Sequence, residues 1–223
     1  MNEHGLAACK ASNGLPVGNF EGGQKPGVTG FQFWIVIRSI LENCKNVEEA
    51  IDFAMKAPIG YNINLMLADK NNKIAFLQCI EGHKSYEILD NNSNKTYLSA
   101  TNHVLFPELK VYEKMIIKNS EIRNDVIVKT FEEKEKLSCN DLKGLLSASY
   151  PQGLCCHYYE EFFGTLRSMI FDVTNGTIQM TFGSPQSNEW QTFTIKSNEE
   201  QEYMVKLPYE RADKAFYDIT YLS

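Results

Sequence analysis

The residues with the richest chemistry lie between Gly153 and Asp172, in a stretch that begins Gly-Leu-Cys-Cys-His-Tyr-Tyr-Glu-Glu. Cysteine with histidine can bind zinc, and a cysteine beside a histidine base can act as a nucleophile. Zinc sites need a spaced ligand pair with a second pair downstream. Cys155, Cys156 and His157 are consecutive, so in an extended chain their side chains alternate between two faces and do not converge. We therefore expect no metal and no cofactor, and a Cys156–His157 dyad is a less favoured alternative.

A second polar group, Thr101-Asn102-His103, follows a stretch with strand character. Polar side chains at a strand end can face a ligand. The Asn102 amide is a neutral donor that suits a developing negative charge. The alternative is an ordinary Asx turn that leads into a helix, because Pro107 follows closely.

The elements that must position these groups follow from periodicity and turn residues. Antiparallel meanders of strands, with the helices grouped in blocks, predict an α+β fold with one domain over residues 1–196 and a mobile or weakly packed tail over 197–223. The glycine-rich stretch from Asn13 to Gly30 is either a connector or a mobile loop beside a pocket. The predicted strands are Leu6–Cys9, Tyr61–Asp69, Lys73–Ile80, Ser85–Leu89, Thr96–Thr101, Leu166–Asp172, Thr177–Phe182 and Trp190–Ile195, and the predicted helices are two within Phe31–Lys56, one over most of Glu108–Glu135, and Ser138–Ser147.

Composition narrows the class of protein. The chain has 223 residues and a formal net charge of −6, which argues against a nucleic-acid partner because phosphate binding needs a basic face. It has no apolar run of about 18 residues, so we expect no membrane span, and no signal peptide is visible. Six cysteines without a disulfide-type spacing favour free thiols in a reducing, cytoplasmic setting.

Several motifs together resemble a known family. In chain order they are Met-Asn-Glu-x-Gly-Leu from Met1, Thr-Asn-His from Thr101, Ser-x-x-Arg from Ser120, Cys-Cys-His from Cys155 and Gly-Thr-Leu-x-Ser-Met from Gly164. This ordered set resembles the linear amide C–N hydrolases. That group includes the acyl-coenzyme A:6-aminopenicillanic acid acyltransferases and is related to the choloylglycine hydrolases, all of them N-terminal-nucleophile (Ntn) hydrolases. Arg167 departs from the pattern, where an aromatic residue is usual.

The resemblance implies a four-layer αββα sandwich and the cleavage or transfer of an acyl group on a small-molecule amide or acyl thioester. It implies that Asn102 contributes to the oxyanion hole and that Arg123 lies near the nucleophile. His103, Cys156 and His157 are the residues we expect to contact the substrate.

The family's nucleophile is an N-terminal cysteine whose own α-amine serves as the base. This chain begins Met-Asn, and Cys9, Cys155 and Cys156 are internal. It thus resembles the family without its nucleophile segment and first strands. We expect a truncated gene product, one chain of a two-chain enzyme, or an inactive binding module. In each case we expect the chain alone to be inactive, and to self-associate or require a partner segment.

Overall fold

The structure is a computed structural model that describes residues 1–13, 28–197 and 200–222. Most of the predicted glycine-rich loop, residues 14–27, lies outside the described residues. The strands are β1 (Leu6–Ser12), β2 (Ile63–Asp69), β3 (Ile74–Ile80), β4 (His83–Leu89), β5 (Met115–Ile117), β6 (His157–Tyr158), β7 (Phe163–Gly164), β8 (Arg167–Asp172), β9 (Thr177–Phe182), β10 (Gln191–Thr194) and β11 (Ile219–Tyr221), and the α-helices are α1 (Phe33–Asn43), α2 (Val47–Lys56), α3 (Lys118–Glu132) and α4 (Cys139–Ser147).

The first sheet is antiparallel, with strand order β1-β2-β3-β4. Alternation gives each strand two faces. Along β2, Ile63, Leu65 and Leu67 are at most 2% exposed and form one core with α1 and α2. The side chains between them, such as Asn64 and Met66, lie on the opposite face and point away from these helices. The main core therefore fills the space between the first sheet and the helix pair.

Local capping explains where the helices begin. The Asn46 side chain accepts a hydrogen bond from the Glu49 backbone N–H at 2.9 Å, which starts α2. Ser138 and Asp141 form a reciprocal capping box at the start of α4. Both caps use residue types that are typical of helix starts.

The second sheet has the order β10-β9-β8, so β8 is an edge strand. The turn between β8 and β9 uses Gly176 at φ +65°, a conformation that glycine adopts without strain. Two short pairs complete the sheets, β6 with β7 and β11 with β5.

An apolar groove of about 460 Å³ separates the first sheet from α3, α4 and β8. Its lining includes Met66 from the first sheet, Phe131 from α3, Leu145 from α4 and Met169 from β8. We call it the inter-layer groove.

Two predicted elements differ in the structure. Residues 96–101 form no strand, because β4 is the last strand of its sheet and this segment finds no ladder partner among the described residues. The stretch predicted as one helix from Glu108 divides into a 3₁₀ helix (Pro107–Tyr112), β5 and α3. Lys118-Asn119-Ser120 forms the first turn of α3.

The prediction of a weakly packed tail is wrong for its last part. Phe216 is 1% exposed and packs edge-to-face against Tyr150, Tyr158 and Phe163. After it, β11 pairs with β5. The charged composition of this segment was misleading, because its many charged residues face solvent while one buried aromatic residue, Phe216, anchors it.

Candidate active site

Asn102 lies at the point where two distant parts of the chain meet. Its Nδ2 donates to the Ser12 carbonyl at the end of β1, at 2.8 Å, and its Oδ1 accepts from Arg123 on α3, at 3.0 Å. The side chain is half-buried. The two bonds fix the amide orientation and leave the second N–H of the amide group available to a ligand. Asn102 is therefore held in place by the fold and does not point freely into solvent.

Ser120 connects the Ser-x-x-Arg motif to the Thr-Asn-His trio. Its Oγ accepts from the Asn102 backbone N–H at 2.7 Å and lies 2.8 Å from the His103 Nδ1. Thr101 Oγ1 donates back to the Ser120 carbonyl at 2.8 Å. All of these groups are buried or half-buried, so two motifs that are separate in sequence form one hydrogen-bonded unit.

The first sheet supports the same trio from behind. Asn64 on β2 donates to the carbonyls of Thr101 and His103 at 3.0 and 3.1 Å, and Gln78 on β3 donates to the His103 carbonyl at 3.1 Å. Both amide side chains are fully buried. Asn64 and Gln78 thereby fix the backbone that carries Asn102.

His103 is 8% exposed, and its Nδ1 faces Ser120 and Thr101. Burial, reinforced by the charge of Lys110, lowers the pKa of the imidazole. The structure thus places His103 as a neutral support of the trio, and its predicted contact with a substrate stays a prediction.

Arg123 is a half-buried cation with neutral partners. It donates to Asn102 Oδ1 at 3.0 Å and to Asn119 Oδ1 at 2.7 Å, while its Nε has no partner. In the described part of the chain no carboxylate pairs with it. Burial lowers the pKa of the guanidinium, yet an arginine remains charged at any ordinary pH. The site therefore carries a positive charge that none of the described acidic side chains compensates.

Asn13 is a candidate site residue that the sequence analysis missed. It directly follows β1, is 0% exposed, and neither its Oδ1 nor its Nδ2 has a hydrogen-bond partner among the described residues. Its neighbour Ser12 is the residue whose carbonyl holds Asn102. A polar residue at the end of a strand, the same signal that identified Asn102, could have found it. Buried amides without partners are rare in folded proteins and call for a functional explanation.

The Cys-Cys-His motif divides between two surroundings, as the alternation argument predicted. Cys155 Sγ lies 3.2 Å from His157 Nε2, and both contact Ser184 Oγ, with 2.7 Å between Ser184 and the imidazole. His157 Nδ1 is 3.1 Å from Glu210 Oε1, outside hydrogen-bonding geometry. Cys155, His157 and Ser184 are all 0% exposed, so this group is enclosed within the fold.

Cys156 faces the other way and packs with Tyr158 and Phe216. Burial raises the pKa of its thiol to about 11, and the charge of Arg123 acts in the opposite direction. Cys156 is therefore a buried neutral thiol within the electrostatic reach of the cation in the site.

One expectation about this motif needs correction. The Cys156–His157 dyad is wrong, because the imidazole contacts Cys155 and Ser184. The expected substrate contacts of Cys156 and His157 stay predictions. Within the described residues no group of three or more histidine, cysteine or acidic side chains is arranged to hold a metal ion.

Comparison with known proteins places the chain in context. A penicillin V acylase from Agrobacterium tumefaciens has a similar structure, with a TM-score of 0.50 and 15% identity over 87% of this chain and 65% of its own. A variant of the conjugated bile acid hydrolase from Clostridium perfringens gives a TM-score of 0.52 and 14% identity over 96% of this chain and 79% of its own. This chain thus spans less than two thirds of the acylase. At these identities the likeness concerns the fold alone, and it confirms the predicted α+β fold of the Ntn-hydrolase type.

The curated proteins include no significant match to the chain. The sequence profile of one family matches residues 1–187, which is most of the chain. That match covers the β1 motif, the Thr-Asn-His trio, the Ser-x-x-Arg motif and the Cys-Cys-His motif described above. The chain is therefore a member of the acyl-coenzyme A:6-aminopenicillanic acid acyl-transferase family.

Proposed function

We propose that the chain binds a small-molecule linear amide or acyl thioester beside Asn13, Asn102 and Arg123, as part of an amide hydrolase or acyltransferase. The observation that carries this proposal is the half-buried guanidinium of Arg123, whose described partners are neutral amide oxygens and whose buried Nε has no partner among the described residues. A charge that is partly removed from water without a counter-ion costs free energy that a ligand can offset. Family membership, and the acylase and hydrolase named among the similar structures, support the reaction class.

The arrangement suits attack on an acyl carbonyl. Such an attack places negative charge on the carbonyl oxygen, which fixed N–H donors stabilise. The second N–H of Asn102 and the Nδ2 of Asn13, which has no partner among the described residues, are two candidate donors. The positive charge of Arg123 would stabilise the same oxygen or an acidic group elsewhere on the substrate.

We further propose that the 223-residue chain, purified alone, binds such molecules without turning them over. Burial raises the pKa of both Cys9 and Cys156, so neither thiol is an activated nucleophile. Neither carries the free α-amine that would serve as a base in this family. The second candidate function is a binding module without catalysis. The raised pKa values of these two thiols favour it.

The binding test uses isothermal titration calorimetry with penicillin V and a glycine-conjugated bile acid as probes. Arg123→Met should weaken binding of at least one probe by about tenfold or more, which corresponds to about 1.4 kcal/mol. Asn43→Ala is the control, because Asn43 is an exposed amide at the end of α1 with only a local bond. Equal affinity for the wild type and Arg123→Met, with unchanged melting curves, would contradict the proposed site.

The turnover test follows release of the acyl group from the same probes. We expect none above the uncatalysed rate. Thiol-dependent turnover that is lost in Cys156→Ser yet retained in Cys9→Ser would show that Cys156 is a working nucleophile, and the binding-only proposal would then be wrong.

We also propose a cytoplasmic location, which is supported by the six cysteines, all of them free thiols. Within the described residues, none of the helices has both the length and the apolar character needed to cross a bilayer.

A further inference from the structure

The inter-layer groove has two apolar walls that face each other without a layer between them. One wall is the face of the first sheet that carries Met66 and Ala68, and the other is formed by α3 and α4 through residues such as Phe131 and Leu145. No residue of α4 is fully buried, although three of its leucines line the groove. An amphipathic helix normally buries its apolar stripe against another element. These leucines therefore form an apolar stripe that no layer of the described chain fully covers.

The end of the groove is formed by a strand with an open edge. β8 pairs with β9 on one side, and in the described part of the chain no backbone hydrogen bond is made on its other side. Met169, Ile170 and Phe171 of this strand line the groove. An open strand edge presents backbone N–H and C=O groups that another strand can pair with.

The hydrogen-bond pattern identifies which groups point into the open edge. The Gly183 N–H donates to the Leu166 carbonyl at 2.7 Å, so these two residues form a hydrogen-bonded pair just before β8 begins. Bonded and non-bonded pairs alternate along an antiparallel ladder. The backbone groups of Met169 and Phe171 therefore face away from β9 and toward the groove side.

We propose that the inter-layer groove is a docking site for an extended, apolar polypeptide segment from a separate chain, which adds to the free edge of β8. Such a strand would continue the β10-β9-β8 sheet between the first sheet and α3/α4. Its main chain would pair with Met169 and Phe171, and its alternate side chains would cover the two apolar walls. The proposal depends on the groove and the strand edge and is independent of the proposed amide chemistry.

The chemistry of the site favours a strand over other occupants. A small apolar ligand would leave the peptide groups of β8 unpaired. A single added strand pairs with the edge and also places its alternate side chains on both faces, one set toward each wall. The groove lining includes no charged residue, so the segment should be apolar on both faces where it lies inside.

The test uses a fluorescein-labelled peptide of about eight residues, a length typical of strands, with blocked ends, a lysine at each end for solubility and only valine and leucine between them. The control peptide has the same composition except for a central proline, which cannot complete a ladder. We expect saturable binding of the first peptide by fluorescence anisotropy and weak binding of the second. Hydrogen exchange at the Met169 and Phe171 amides should slow by about tenfold or more when the first peptide is bound.

Two variants separate edge pairing from side-chain contact. Met169→Pro removes an edge-facing N–H without removing a bond to β9 and should abolish peptide binding. Met169→Ala keeps the N–H and should retain most of it. Circular dichroism melting shows whether Met169→Pro is folded. If it is not folded, the proposal is tested by hydrogen exchange at the Met169 and Phe171 amides of the wild type with and without peptide.

Three results would overturn the proposal. One is the absence of binding and exchange protection with the wild type, and another is equal binding of both peptides. The third is a dimer in size-exclusion chromatography with light scattering whose Met169 and Phe171 amides are protected before peptide is added, because a second copy would then occupy the edge.

Discussion

At the scale of single residues, the site depends on polar groups that the fold holds in place without fully satisfying them. Arg123 has amide partners and a free Nε, and Asn13 has no side-chain partner among the described residues. Each such group costs stability in the unliganded protein. A binding site is the place where such a cost is expected, because a ligand removes it.

Asn13 offers a direct test of this trade between stability and binding. Asn13→Leu removes a buried amide without partners and keeps a similar volume, so we expect the free energy of unfolding to rise by about 1–3 kcal/mol. Affinity for the amide probes should fall at the same time. Thermal or urea unfolding and calorimetry measure the two effects.

Asn46→Leu is the matched control, because the Asn46 side chain caps α2 and its loss should destabilise the protein by about 1 kcal/mol. Destabilisation by Asn13→Leu similar to that by Asn46→Leu would show that the Asn13 amide has a structural partner. The assignment of Asn13 to the site would then be wrong.

Glu113 is a buried carboxyl that links pH to the loop after Asn102. Its Oε1 accepts from the Val104 N–H at 2.8 Å, its Oε2 has no partner, and burial raises its pKa to about 7. Lys110 lowers this pKa and Glu121 raises it, both to a smaller extent. The folded state therefore binds the proton more tightly than the unfolded chain does.

Linkage then gives the sign of the pH effect. The stability that comes from Glu113 is present below its ordinary pKa and is lost as the pH rises through about 7. The melting temperature of the wild type should therefore fall between about pH 5 and pH 7. Glu113→Gln keeps the acceptor for Val104 and removes the proton, so its melting temperature should fall less over this range. If the melting temperatures of the wild type and Glu113→Gln changed with pH to the same extent, this role of Glu113 would be refuted.

At the scale of elements, the C-terminal segment stabilises the helix that carries Arg123. Phe216 lies against three aromatic rings, and its carbonyl accepts from Asn119 Nδ2 at 2.8 Å. Asn119 in turn orients Arg123 through its Oδ1. The segment that the sequence predicted to be a loose tail is thus connected to the site through two hydrogen bonds.

Phe216→Ala should lower the free energy of unfolding by about 3–5 kcal/mol, the usual cost of removing a fully buried phenylalanine. Val111→Ala is a suitable comparison, because Val111 is 79% exposed and its truncation should have little effect. Urea unfolding followed by circular dichroism measures both. A small effect of Phe216→Ala would mean that the C-terminal segment contributes little to the folded state.

At the scale of the whole molecule, the inter-layer groove leaves apolar surface in contact with water. Fully burying one large apolar side chain stabilises a fold by about 1.5–3 kcal/mol, against a total of about 5–15 kcal/mol for a domain. The chain alone should therefore unfold at a modest temperature or self-associate. Thermal unfolding combined with light scattering measures this behaviour.

A segment that binds the folded chain and not the unfolded one should raise the melting temperature. At a peptide concentration of about 100 times Kd the gain is about 2.7 kcal/mol. The stabilisation should be absent in Met169→Pro. A sharp, monomeric melt at high temperature that the peptide does not shift would show that the described residues already close their own core.

The sequence by itself determined the elements whose stability is local. Helices α1 and α2, the Asn46 cap and the Ser138–Asp141 capping box depend on contacts between near neighbours, which periodicity and capping chemistry describe. The turn near Asn175-Gly176 is also local, although it has four residues, 173–176, and positive φ at Gly176 alone among them. The motifs also indicated Asn102 and Arg123, although not the bond between them.

Only the tertiary structure decided how distant groups meet. Asn102 bonds Ser12, which is 90 residues away, and Asn119 bonds Phe216, which is 97 residues away. The pairing of His157 with Cys155 and Ser184, the isolation of Asn13 and the open edge of β8 are likewise results of packing. Local patterns contain no information about such pairs, because the free energy of each contact depends on burial and on partners that the whole fold brings together.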